Sequence, residues 1–144
     1  MIIARIGHYH VRKKEEYSRM KALIAGSFAD PGLLQHLETA DDVALDALPF
    51  GVIAMTPDGI VTSYNKFESR VSGLTPPNVI GRHFFSAVAP CTNNFLVAQR
   101  FETEAELDVT IDYVFTLRMQ PTSVRLRLLK QPGCRRMYLV VERE

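Results

Sequence analysis

Val109, Ile111, Tyr113, Phe115, Leu117 and Met119 occupy every second position without a break. A period of two turns all six side chains to one face of an extended strand. A helix, with its period of 3.6, would scatter them round its circumference. The run therefore predicts a strand with one buried face, and such a strand requires a sheet. Val124, Leu126 and Leu128 repeat the pattern, with Arg125, Arg127 and Lys130 read as the solvated face of that second strand. Pro132-Gly133-Cys134 makes a turn, and residues 137–141 form the last strand.

Two further strands are expected upstream, at 51–55 and 60–64, joined by Thr56-Pro57-Asp58-Gly59. Proline presets φ in such a turn and glycine accepts a positive φ. Short helices are expected at 66–71, ended by Gly73, from Pro76-Pro77 to a stop at Gly81, and at 83–88. Residues 95–107 have the length of a longer helix, with Thr92 or Asn93 as its N-cap. The order β-β-α-α-α-α-β-β-β implies an α+β fold, a five-stranded antiparallel sheet flanked by short helices. Residues 1–44 read as a separate N-terminal helical segment and 45–144 as the main domain. In that segment Tyr17, Met20 and Leu23/Ile24 suggest a helix over 11–28, Asp30-Pro31-Gly32 breaks it, and a second short helix spans 33–37. Met20 is a second candidate start.

At 144 residues the chain fits one domain with its own core. The formal net charge of +1 gives no general attraction to nucleic acid or membrane. Residues 1–21 hold a local excess, six Lys/Arg against two Glu, which reads as a solvated arm, with docking on an acidic partner as the alternative. Two cysteines make no disulfide framework, no apolar run reaches the roughly 18 residues of a membrane span, and the start lacks a signal-peptide core. A soluble cytoplasmic protein is expected. His8-Tyr9-His10 has a spacing usable for metal but no third ligand nearby, so no metal site is expected. Cys134, beside Arg135 and Arg136, reads as an incidental free thiol, with exposure and a lowered pKa as the alternative. Dinucleotide, phosphate-loop, zinc and haem motifs are missing.

One constellation carries chemistry. Ala89-Pro90-Cys91-Thr92 places a thiol in a loop, and Tyr64 and Glu68 stand upstream with a spacing that one helical turn can bring together. Alone, Cys91 reads as a small buried hydrophobe, Tyr64 as a strand-end phenol and Glu68 as an exposed helical acid. Together with Leu48-Pro49-Phe50-Gly51, Tyr64-Asn65, Val79-Ile80-Gly81-Arg82-His83-Phe84-Phe85 and Met119-Gln120-Pro121-Thr122, they resemble the photoactive yellow protein family, blue-light receptors of the PAS fold. The resemblance runs from about Leu45 to Val141.

The resemblance implies 4-hydroxycinnamic acid (p-coumaric acid) bound covalently as a thioester on Cys91. It implies phenolate hydrogen bonds from Tyr64 and Glu68, with Ser72, where the family has threonine, next in the network. The implied pocket wall is Phe84, Leu74, Phe115, Leu117 and Met119, with Leu74 replacing an arginine and Leu117 a tyrosine of the family. A helix starting near Thr92 or Asn93 would favour the thiolate. Glu68 can donate only while protonated, and loss of that proton after light-driven isomerisation would leave a buried charge. The N-terminal segment is expected to loosen in response. The implied function is light sensing without enzymatic turnover, by a monomer or weak dimer that signals to an unidentified downstream protein. Two alternatives stay open: a PAS-type interaction module without chromophore, and an enzyme or redox sensor using Cys91 as nucleophile.

Overall fold

Leu107–Phe115 (β3) and Thr122–Lys130 (β4) pair antiparallel, with Leu107 opposite Lys130 and Phe115 opposite Thr122. The computed structural model describes residues 26–116 and 120–143. Leu117, Met119, the His8-Tyr9-His10 pair and all but the end of the expected 11–28 helix lie outside the described residues. Along β3 the odd positions turn inward and the even ones face solvent, as the alternation requires.

Gly51–Met55 (β1), Val61–Tyr64 (β2) and Met137–Arg143 (β5) complete one antiparallel sheet in the order β2-β1-β5-β4-β3. This is the expected five-stranded α+β architecture. The first two strands turn on Gly59, whose φ of 83° suits glycine. Ile60 stands outside β2 and bridges His83 instead.

The N-terminal elements are Leu33–Thr39 (α1) and Asp42–Asp46 (α2), the latter capped by the Asp41 carboxylate on the Ala44 amide. Lys66–Ser72 (α3) ends at Gly73, with φ 78°. Pro76–Val79 (α4) follows, then a wide π-type turn at Phe84–Val88, a 3₁₀ turn at Pro90–Thr92 and Ala98–Thr103 (α5). The helix expected over 95–107 is thus shorter. Asn94 accepts from the Leu96 and Val97 amides in a turn ahead of α5, and Leu107 already belongs to β3.

Each face of the sheet carries its own core. Ile53, Met55, Leu126, Leu128, Met137, Leu139 and Val141 meet Phe84, Phe85, Val97 and Phe101 on one side. Val52, Ala54, Leu129, Tyr138 and Val140 meet Phe28, Leu33, Leu34, Leu37 and Leu45 on the other. The period of two in β1 and β5 distributes successive residues between these two cores.

That second core corrects the reading of Arg127. It does not face solvent but is buried, because residues 28–45 cover its side of the sheet. Its guanidinium donates to both Asp108 carboxylate oxygens, at 2.8 and 2.9 Å, and to the carbonyls of Phe28 and Asp30, at 2.8 and 2.7 Å. Lys130 is likewise engaged, donating to the Phe101 carbonyl, whereas Arg125 is exposed beside Glu142. Cys134 is half-buried against the second core, and its thiol is pushed up rather than down, by burial and then by the Glu38 carboxylate.

Candidate functional site

Tyr64 ends β2 and Asn65 caps α3, so the strand-to-helix turn fixes where both Tyr64 and Glu68 point. The Asn65 side chain is buried and fully used. Its oxygen accepts from the Val52 and Glu68 amides, and its nitrogen donates to the Leu45 and Phe50 carbonyls. Buried amides are satisfied in this way when they weld elements together. Here the start of α3 is welded to β1.

The spacing of four along α3 puts Glu68 and Ser72 on the side that faces the sheet. The Tyr64 hydroxyl lies 2.9 Å from Ser72 Oγ, which also accepts from the Leu74 amide at 3.1 Å. Burial, then the Glu68 charge, pushes the Tyr64 phenol above its ordinary value, so it is a proton-bearing hydroxyl throughout the neutral range. Glu68 is 1% exposed. Its two oxygens accept from Arg143 Nη1 at 2.5 Å and Nη2 at 3.0 Å, a bidentate pair. Gly51 is what lets the carboxylate sit there, since a Cβ at that position would strike Glu68.

Arg143 was not among the residues singled out in the sequence. It stands two positions beyond Val141, so the alternation Met137, Leu139, Val141 carries it to the site face of the sheet. Ending the strand at 141 hid that signal. Its guanidinium carbon sits 5.8 Å from the centre of the Phe115 ring, and its Nε is buried with no hydrogen-bond partner among the described residues.

Phe115 and Tyr113 connect this acid–base pair to the Cys91 loop. Their rings are 6.1 Å apart, edge to face. The Tyr113 hydroxyl donates to the Cys91 carbonyl at 2.5 Å, and Asn94 Nδ2 donates both to that hydroxyl, at 2.6 Å, and to the same carbonyl, at 3.2 Å. Tyr113 and Asn94 are therefore the residues that pin the Cys91 loop to β3. The alternation placed Tyr113 on the correct face, but nothing in the sequence announced its bond to the loop.

Cys91 is a free, half-buried thiol within the 3₁₀ turn, packed with Leu74 against the core that contains Tyr64, Phe84, Phe85, Val88 and Phe115. The helix expected to begin beside it begins only at Ala98, so that source of thiolate stabilisation is not adjacent to the sulfur. Phe84 is buried and meets Phe85 edge to face at 5.4 Å. Of the sequence-selected residues, Cys91, Tyr64, Glu68, Ser72, Phe84, Leu74 and Phe115 thus gather on one face of the sheet. His83 is taken up in its own turn, accepting from the Ser86 amide. No helix among the described residues is long and apolar enough to cross a membrane. No group of three potential metal-ligating side chains occurs among them either.

No protein-family model matches the chain. Individual relatives do. The chain is 36% identical over 90 residues to photoactive yellow protein of Rhodothalassium salexigens, covering 60% of this chain and 72% of the relative. It is 34% identical over 106 residues to that of Halochromatium salexigens, covering 72% and 85%. A solved structure, the photoactive yellow protein domain of the sensor histidine kinase Ppr from Rhodospirillum centenum, superposes with a TM-score of 0.70 at 37% identity. That match covers 76% of this chain and 98% of the domain. The PAS domain of an HTR-like protein from Haloarcula marismortui, at 16% identity and a TM-score of 0.53, shares the fold. With its five-stranded sheet and its Tyr64, Glu68 and Cys91 gathered on one face, the chain belongs to the photoactive yellow protein family and has the PAS fold.

Proposed function

We propose that this protein is a blue-light receptor that carries 4-hydroxycinnamic acid as a thioester on Cys91, with the phenolic end at Tyr64 and Glu68. The observation that carries the reading is the continuous line Cys91–Tyr113–Phe115–Arg143–Glu68, in the same core as Tyr64. An aromatic acid anchored at one end of that line would lie among apolar walls and meet polar hydrogens at the other. The residues fit such a group. Tyr64 keeps its proton, Arg143 holds a buried Nε without a partner among the described residues, and Phe84, Phe115 and Leu74 supply apolar surface. When bound, the chromophore supplies a light-isomerisable double bond and a phenolic oxygen whose charge depends on its surroundings.

The chain's own part is to hold and then lose an electrostatic balance. Tyr64 donates, Ser72 orients the Tyr64 hydroxyl, and Tyr113 and Asn94 hold the Cys91 loop. Any change that separates Arg143 from Glu68 leaves a fully buried carboxylate without its counter-charge, which is strongly destabilising. The element we expect to loosen is the cover formed by residues 26–46 on the opposite face, and an unidentified protein would read that change. No turnover is involved.

Mixing the purified protein with an activated 4-hydroxycinnamate tests this. The expected result is a visible absorption band and a mass increase of one adduct, both lost in Cys91→Ser. Hydrogen exchange in residues 26–46 should accelerate under illumination. One observation favours a second reading, a PAS interaction module without chromophore: Glu68 is already engaged by Arg143. The same mixture decides, because that module forms no adduct. A sulfenate or a turned-over adduct would instead point to Cys91 as a reactive nucleophile.

A further inference from the structure

We infer that the free edge of β3 is a docking surface for residues 2–11 of this same chain, which add to the sheet as a sixth strand beside the acidic row of β3. The inference does not depend on what Cys91 carries.

The edge carries it. β3 ends the sheet and pairs with β4 alone among the described residues. Nine residues of backbone, Leu107–Phe115, therefore present alternate N–H and C=O groups on their outer side, a template for one more strand. Val109, Ile111 and Tyr113 turn to the core but are only half-buried against it, since no described strand flanks them on that side. The other row is acidic. Residues 101–117 hold five Asp/Glu and no Lys, Arg or His. Asp108 has Arg127, but Glu106 and Asp112 have no ion-pair partner among the described residues. Arg125, opposite Asp112 in the register, pairs with Glu142 instead.

Residues 2–11 match both rows. In an extended strand Ile2, Ala4 and Ile6 fall on one face and Arg5 on the other. The apolar row would extend the Val109–Ile111–Tyr113 surface while Arg5 meets the acidic row across the ladder. Residues 1–14 hold four Lys/Arg and no acid, the reverse of 101–117. Reach is sufficient. The described chain starts at Gly26, which bonds Asp30, and Arg127 holds both Asp30 and Asp108, so the chain enters beside β3. Residues 12–25 would span ~21 Å even as a helix, against a β3 length of ~30 Å. A second copy fits the edge less well. Antiparallel pairing of two β3 strands about Thr110 would set Asp108 against Asp112 twice.

The test is backbone amide hydrogen exchange of the full-length protein, read by NMR. The alternate β3 amides that point away from β4 should be protected in the wild-type protein. Ile6→Pro together with Gly7→Pro removes a ladder donor whichever way the added strand is set, and should speed their exchange about tenfold or more. Asp112→Lys, at an exposed position, should speed it several-fold without touching residues 2–11. Adding Arg5→Glu to Asp112→Lys should restore protection, because the charges are then exchanged rather than opposed. Unprotected outer amides in the wild-type protein, exchange that neither the proline pair nor Asp112→Lys changes, or a charge-swapped chain no better protected than Asp112→Lys would each overturn the inference. Protection that grows with protein concentration would overturn it too, by assigning the edge to a second copy.

Discussion

Two arginines on neighbouring strands, both drawn into the protein, are used in opposite ways. Arg127 of β4 faces the N-terminal cover and has each of its three nitrogens engaged, on Asp108 and on two backbone carbonyls. Its acid partner is 54% exposed, so water shares in solvating that charge. Arg143 of β5 faces the other core. Its partner Glu68 is 1% exposed, and one of its own nitrogens remains unpaired among the described residues. The first arrangement is closed and holds a chain segment. The second is open, with a buried donor left over among the described residues. Burial of a cation therefore does not set the two apart; the exposure of its partner and the completeness of its hydrogen bonding do.

The largest effect is expected from Arg143→Met. It strands the Glu68 charge in the core, at a cost of about 3–5 kcal/mol. Urea unfolding should show it as a lowered midpoint. Adding Glu68→Leu to the same chain should recover most of the loss, because removing both charges removes the penalty. If the double variant is no more stable than the single one, Glu68 is not the source of the cost. Arg127→Met should be milder, because Asp108 can turn to water. What it loses is the donor to the Phe28 and Asp30 carbonyls, about 1–3 kcal/mol for a buried acceptor left unpaired. Hydrogen exchange should rise first in residues 26–39, with the site face unaffected. A global loss larger than that of Arg143→Met would break the comparison. Asp108→Asn should cost under about 1 kcal/mol by the same unfolding assay, as for other exposed ion pairs.

The strands were legible because their alternation is a local signal. Val109 to Phe115, Val124 to Leu128 and 137–141 each declare a face without reference to the rest of the chain. What alternation could not declare is whether the opposite face is wet. Arg127 looked solvated because the segment that covers it lies about a hundred residues earlier. Arg143 was missed for the same kind of reason. The charged run Glu142-Arg143-Glu144 after an apolar stretch looks like a strand end, and only Glu68 arriving from α3 makes Arg143 part of the core. The helix after Cys91 was overextended because 95–107 is apolar enough to continue; Asn94, capping a turn ahead of α5, and the pairing of Leu107 with Lys130 in the sheet set its actual limits. Tyr64, Glu68 and Cys91 were found as a constellation, whereas Tyr113 and Asn94, which position the loop, left no such mark.

The smallest effect concerns the far end of the Arg127 clamp. The Asp30 carboxylate accepts from the Gly26 amide at 2.8 Å and from the Gly32 amide at 2.9 Å, while its own carbonyl receives Arg127. The hydrogen bond from Gly26 is the main cause that lowers its pKa below the ordinary 3.8; burial opposes the shift, while Gly32 and the charges of Arg127 and His36 support it. A folded pKa below the unfolded one means that the unfolded chain takes up the proton first on acidification. The contribution of Asp30 is therefore fully present above 3.8 and is lost as pH falls through the lower, folded value. Acidification from neutrality should leave the Gly26 and Gly32 amide resonances in place until that range, where both should shift together. Asp30→Asn should remove the joint shift, since an amide side chain does not ionise. A titration of the Gly26 amide centred above 3.8 would mean that the segment is held by something other than this carboxylate, and the closed character assigned to the Arg127 region would then rest on the guanidinium alone.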